Sequence, residues 1–183
     1  DAINVVCGVV LFDLPHYLAY IQKCLNRGYE GVILRDYNLP HKEGRSSSVK
    51  THLWRYKPYL DAEIKVTRIE EGNTNTNEAE TNELGRTKRS FAKEGLVPNS
   101  QVGKIIGALL NDLKDCYGNV IMKAGEEVTV SPAEMKVKDR KGYFEDQSQI
   151  IGKIAKFKYF AFDLLDAPRY PCFISLRSEA DLS

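Results

Sequence analysis

The sequence predicts an α+β chain that is mainly β, in which the last strands of one mixed domain lead into a small β-barrel carrying one helix. Three observations predict it. Short β-type runs separated by turn residues recur from residue 29 to the end of the chain. Helix punctuation occurs in two places, around "DLPHYLAYIQKCLNRG" and around "SPAEMKVKDRKGYFEDQSQ". The character of the chain also changes at Asp61, dividing it into residues 1–60 and 61–183.

The elements follow in order. The continuous apolar run "VVCGVVLF", residues 5–12, reads as a buried strand. The chain opens on "DAINVVCGVVLF" without Met and inside that strand, which sets the expectation of a fragment. Asp13 is placed to cap a helix, Pro15 suits its first turn and Gly28 its end, with Leu14, Leu18, Ile21 and Leu25 on one face. "YEGVILRDY" is a second strand and "HLWRYKPYL" a third, with Leu53, Arg55 and Lys57 alternating against Trp54, Tyr56 and Pro58. Trp54 and Tyr56 are expected in the core.

Beyond Asp61, "DAEIKVTRIEEG" alternates with Ile64, Val66 and Ile69 as its apolar members. It runs into "NTNTNEAETNELGRTKRSFAKEGLVPNS", a long polar segment with almost no periodicity, expected as a functional or mobile loop. Strands resume at "QVGKIIGALLND", "EEVTVS", "IIGKIAKFKYFAF" and "CFISLRS". Ser131 and Glu134 fit a capping box with Pro132 at the first helical position. Several short strands and one helix suit a closed barrel of the OB type, and an SH3-like barrel fits the strand count nearly as well.

Composition excludes several classes. Over 183 residues, 43% are apolar, with ten Tyr and seven Phe, enough for a real core. A net charge of +1 argues against a histone-like polycation, so any nucleic-acid surface has to come from local clustering. Cys7, Cys24, Cys116 and Cys172 are scattered, and with His16, His41 and His52 they complete no zinc spacing. They read as reduced thiols of a cytoplasmic protein. No signal peptide and no apolar run of membrane-spanning length is present in the sequence.

The chemistry concentrates in "GYEGVILRDYNLPHKEGRSSSVKTHLWRYKPY", residues 28–59. A carboxylate at a strand start, Glu30, can hold a hard cation such as Mg2+. Two cations at i and i+2, Arg55 and Lys57, can grip one phosphate from the same side. That combination suits phosphoryl or nucleotidyl transfer, in which positioning and charge neutralisation supply most of the catalysis. An ordinary solvated strand face carries the same spacing, and a surface salt bridge would equally employ Glu30.

Here the residues resemble a known family. "EGVILRD" is similar to motif IV of the ATP-dependent DNA ligases and "LWRYKPY" to their motif V, while "HKEGRSSS" resembles a basic element of phage-type members. "DAEIKV" resembles the start of the ligase OB domain, and "NEAETNELGRTKRS" and "PRYPCFISLRSEAD" resemble later segments of phage ligases. The resemblance implies the C-terminal part of a nucleotidyltransferase (adenylation) domain followed by an OB-fold DNA-binding domain. It implies Glu30 as metal ligand, Lys57 on the phosphate next to the adenylyl group, Arg55 at the first motif V position and Arg45 as a nucleotide contact. ATP, carried as a lysyl-AMP adenylate in the intact enzyme, and Mg2+ are the implied cofactors. Nicked double-stranded DNA is the implied partner, no membrane is involved, and the intact enzyme would be a monomer.

Two departures matter. Arg55 stands where the family has Lys, which keeps the charge and changes the geometry of the grip. No Lys-x-Asp-Gly occurs, so the attacking lysine is absent from this sequence and no catalytic residue is assigned. Arg169 and Arg177 near the end do not complete the family's last motif. Arg35 reads as a structural or distal phosphate contact.

Arg86, Lys88, Arg89 and Lys93, packed into eight positions, form a candidate DNA-backbone contact, or else a solvated loop. The cations Lys136, Lys138, Arg140 and Lys141 on the second helix, and Lys156 and Lys158 opposite Phe157 and Tyr159, suit solvated faces as well as DNA. Two other functions stay open: an RNA ligase or capping-type nucleotidyltransferase, which shares the fold and a similar motif V, and a stand-alone OB-type DNA-binding module without catalysis.

Overall fold

The structure is a computed structural model, and it describes residues 8–40, 53–83, 85–162 and 164–177. The chain divides into two compact units, Asp1–Pro58 and Tyr59–Ser183.

The first unit holds helix α1 (Leu14–Asn26) and the strands β1 (Val32–Arg35) and β2 (Leu53–Tyr56). Asp13 caps α1 by accepting from the His16 amide at 2.8 Å, and Pro15 lies in the first turn, where its missing N–H costs nothing. The helix ends as the Gly28 and Tyr29 amides fold back onto the carbonyls of Leu25 and Cys24, with Gly28 at φ +82°. β1 and β2 pair antiparallel, Val32 opposite Tyr56 and Ile33 opposite Arg55. Ile21, Cys24 and Val32 are buried together, with Tyr17, Tyr20 and Leu25 packed around them.

Three expectations for this unit are corrected. The buried helix stripe is rotated from the one anticipated: Leu14 and Leu18 are 64% and 56% exposed, because Val32 meets the side that carries Ile21 and Cys24. Residues 8–12 form no strand, and Val9 and Val10 lie exposed; the β1–β2 pair offers them no ladder, and residues 5–7 lie outside the described residues. Trp54 and Tyr56 are 46% and 39% exposed and not core, since α1 packs over the β1 side of this two-stranded sheet.

The second unit is built on the sheet order β11-β10-β3-β6-β9. Its strands are β3 (Tyr59–Asn75), β4 (Ala79–Thr81), β5 (Thr87–Arg89), β6 (Leu96–Leu109), β7 (Leu113–Lys114), β8 (Val120–Met122) and β9 (Glu127–Val130). Helix α2 (Val137–Glu145) follows, then β10 (Ile154–Phe160) and β11 (Arg169–Leu176). The sheet closes where Ser131, just beyond β9, bridges Cys172 of β11 in parallel. The Ser131 amide donates to Pro171 O and the Phe173 amide to Ser131 O, both at 2.9 Å. Five strands closed in this way, with a helix between the third and fourth barrel strands, form an OB-type barrel.

Alternation along the strands fills the barrel. In β10, Ala155, Phe157 and Tyr159 are buried while Lys156 and Lys158 reach outward to Asp61 and Glu134 at 2.8 and 2.6 Å. Ile64, Val66, Ile105, Leu109, Val128, Val130 and Phe173 complete the interior. The expected capping box is corrected. α2 starts at Val137 without a side-chain cap, because the Ser131 backbone is engaged in closing the barrel and Glu134 pairs with Lys158. Among the described residues no helix is long and apolar enough to cross a membrane.

Candidate functional site

The β1–β2 register builds the first site. In-register partners share a side of a sheet, so Ile33 and Arg55 lie on one side and Val32 and Tyr56 on the other, toward α1. Continuing the ladder one step brings Gly31 alongside Lys57, and the Lys57 ammonium donates to Glu30 Oε2 across 27 positions of sequence. This ion pair is half-buried, its side chains 26% and 35% exposed. The approach requires glycine at position 31: an added Cβ would sit 2.1 Å from the Tyr56 carbonyl oxygen and 3.2 Å from Lys57 Cα.

Of the four residues anticipated for this site, Glu30 and Lys57 are in contact and Arg55 stands two residues before Lys57 on β2. Arg45 lies outside the described residues. Among the described residues no three His, Cys, Asp or Glu side chains cluster as a metal cage. A single carboxylate nonetheless suits Mg2+, which takes one or two protein oxygens and completes its octahedron with water and phosphate.

The second candidate, the polar segment with Arg86, Lys88, Arg89 and Lys93, is no irregular loop. β3 and β6 pair as far as Asn75 opposite Leu96, and β4 and β5 continue as a short hairpin with Ala79 opposite Arg89 and Glu80 opposite Lys88. Every residue of β4 and β5 is exposed, so the strands carry no apolar alternation. Asparagines fasten the hairpin: Asn82 accepts from the Arg86 amide at 2.9 Å, and Asn75 donates to Ser90 O at 2.8 Å. The Arg89 guanidinium donates to Asn77 O, and Lys93 opens a single 3-10 turn. Glu78, Glu80, Glu83 and Glu94 are interspersed with the four cations, so the hairpin is balanced in charge.

The arm formed by β3 and β6 is kinked. Between the pairs Glu70–Lys104 and Asn73–Pro98 the register shifts twice, giving β6 extra residues opposite Gly72. Gly103 presses on Gly72 so closely that a Cβ on it would lie 2.4 Å from Gly72 Cα and 2.9 Å from Glu71 O. Ser100, in the left-handed region at φ +52°, donates its amide to Glu71 Oε1 at 2.7 Å.

The sequence reading missed two features of the barrel surface. Tyr59 stacks on Phe160 with centroids 4.4 Å apart, and Phe160 meets Tyr170 edge-on at 5.7 Å. Arg177 ion-pairs with Glu63 at 2.5 Å beside the Lys156–Asp61 pair, along a shallow cleft of about 410 Å3 that Lys114, Asp112 and Tyr159 also line. Neither carries a local signal, since strand pairing joins residues distant in sequence. The helix cation Arg140 is structural, donating to Met135 O and Ala133 O at 3.0 and 2.9 Å.

No protein-family model and no curated protein sequence matches the chain. Among solved structures, Pmar-Lig matches with a TM-score of 0.58 at 16% identity, over 90% of this chain and 30% of that one. A Lig E DNA ligase matches with a TM-score of 0.50 at 16% identity, over 92% of this chain and 48% of that one. The chain has the fold of part of a DNA ligase. A Chlorella virus DNA ligase-adenylate also aligns, at 25% identity and a TM-score of 0.42, over 93% of this chain and 49% of that one. The chain therefore spans about half the length of the Lig E and Chlorella virus proteins and under a third of Pmar-Lig.

Proposed function

We propose that this chain is the nucleotide-phosphate and DNA-gripping part of an ATP-dependent DNA ligase that seals nicks in duplex DNA. The observation that carries the reading is the Glu30–Lys57 contact, which joins the acidic and basic ligase-like motifs across the β1–β2 pair. A ligase-type fold around that contact supports it.

In this reading Glu30 offers its carboxylate to Mg2+, Lys57 and Arg55 offer N–H donors to the phosphates, and Arg45 contributes a nucleotide contact. The cation supplies charge neutralisation at the phosphates when bound. The Glu30 and Lys57 charges compensate each other, and a bound nucleotide with its cation would replace each partner with one of like charge. Residues 1–60 thus belong to a nucleotidyltransferase domain and 61–183 to an OB-fold DNA-binding domain. The reaction of the whole enzyme passes from lysyl-AMP to DNA-adenylate to a sealed strand. The described Glu30, Arg55 and Lys57 bind and orient; none is a nucleophile, and the attacking lysine is not in this sequence.

Arg86, Lys88, Arg89 and Lys93 on the arm are the proposed contacts to the DNA backbone. If these four side chains contact phosphates, affinity for the nicked duplex is expected to fall steeply with salt, and a flat response would count against the assignment. The enzyme is proposed to act as a monomer in the cytoplasm.

Fluorescence anisotropy with nicked duplex DNA, capped RNA and single-stranded RNA tests the assignment. The nicked duplex is expected to bind tightest; preference for either RNA would favour an RNA ligase or a capping enzyme.

A further inference from the structure

The Glu30–Lys57 pair joins two groups with opposite tasks: one offers a carboxylate to a cation, the other an ammonium to a phosphate. Each is already the countercharge of the other. Lys57 is 26% exposed and Glu30 35%, so water compensates neither charge fully once its partner is withdrawn. The backbone gives no relief. β1 and β2 are held in register from Val32–Tyr56 to Arg35–Leu53. At Gly31 the two strands approach so closely that an added Cβ would come within 3.2 Å of Lys57 Cα. The two charged groups can therefore part by side-chain rotation alone, and they remain neighbours after parting.

This arrangement opposes any ligand that brings only one charge. A divalent cation arriving by itself takes the Glu30 carboxylate and leaves Lys57 beside a new positive charge. A phosphate arriving by itself takes the Lys57 ammonium and leaves Glu30 beside a new negative charge. In both cases a broken ion pair and like-charge repulsion act against binding. A cation and a phosphate arriving together avoid both, since each replaces the partner that the other removes. Arg55 is the contrast. It stands two residues before Lys57 on β2, opposite Ile33, and among the described residues it makes no ion pair. Its charge is open to a phosphate whether or not a cation comes too.

We infer that the Glu30–Lys57 ion pair makes this site selective for a phosphate and a divalent cation together, weakening its affinity for either one alone. The inference rests on the reading of Glu30 as cation ligand and Lys57 as phosphate ligand, and adds that each restrains the other. Coupling of this kind is reciprocal: whatever frees one group raises its affinity for its own ligand.

The test measures each ligand singly on the full chain, for the wild type, Lys57→Met, Glu30→Gln and Arg55→Met. Mn2+ serves as the cation, its free fraction read by electron paramagnetic resonance. ATP binding is read by 31P NMR in EDTA and in saturating Mg2+. Lys57→Met is expected to bind Mn2+ alone about fivefold more tightly than the wild type, and Glu30→Gln to bind ATP in EDTA about fivefold more tightly. Both are gains, which a damaged fold does not produce. Arg55→Met is expected to leave Mn2+ binding unchanged and to weaken ATP by the same factor in EDTA and in Mg2+. If the wild type binds ATP in Mg2+ and either gain fails to appear, this inference is overturned while the proposed function stands. It is also overturned if Arg55→Met tightens Mn2+ as much as Lys57→Met, since loss of any nearby cation would then suffice. A wild type that takes no ATP in Mg2+ overturns both.

Discussion

At the scale of single residues, the account depends on how closely β1 and β2 approach. Gly31→Ala would place a methyl group 2.1 Å from the Tyr56 carbonyl, a backbone atom that cannot swing aside. The expected result is a loss of about 1–3 kcal/mol in the first unit and separation of Glu30 from Lys57, measurable by urea denaturation followed through Trp54 fluorescence. Glu30, Arg55 and Lys57 were singled out by their resemblance to ligase motifs, since a carboxylate before one strand and cations at i and i+2 on the next also suit an ordinary solvated face. The Glu30–Lys57 ion pair was not legible, because it follows from the register between strands. Nor were the exposed sides of Trp54 and Tyr56: apolar residue type promotes burial only where another element arrives to cover it.

At the scale of elements, the barrel strands were readable and the arm was not. Ile64 and Val66, or Phe157 and Tyr159, alternate with polar neighbours because one face of each strand meets the core. β4 and β5 meet water on both faces, so their pairing rests on backbone hydrogen bonds and asparagine side chains that leave no periodic trace. The helix start of α2 was misplaced because Ser131 serves the barrel closure instead of a cap. Gly103→Ala tests the kink of the arm. It should cost about 1–3 kcal/mol and accelerate amide exchange over residues 73–97, while the β10 amides keep their protection. A second test concerns the pair that joins β3 to β9 across β6. The hydrogen bond from Arg68, at 2.5 and 2.8 Å, holds the Glu127 carboxyl below its ordinary range. A depressed carboxylate stabilises the fold above its unfolded pKa, and that contribution disappears as pH falls through the folded one. Wild type should therefore exceed Glu127→Gln in urea midpoint at pH 7 and converge with it in strong acid.

At the scale of the whole molecule, the proposed function assigns the two units separable tasks: phosphate and cation binding around Glu30 and Lys57, and DNA contact through the OB-type barrel and its arm. The change near residue 60 from ligase-like motifs to alternating barrel strands was legible in the sequence, and the structure divides the chain between Pro58 and Tyr59. The choice between OB and SH3-like barrels was not, because it turns on the Ser131–Cys172 bridge, which joins residues 41 positions apart. With no Lys-x-Asp-Gly in the sequence, incubation with radiolabelled ATP and Mg2+ should leave no covalent adenylate on this chain; a labelled lysine would reverse the division of labour proposed for it. The most direct test of the central claim is a 31P NMR titration of the chain with ATP, with and without Mg2+, for the wild type, Lys57→Met and Glu30→Gln. The account predicts Mg2+-dependent binding, weakened about tenfold or more by Lys57→Met and stripped of its Mg2+ dependence by Glu30→Gln. ATP binding that neither substitution alters would contradict it.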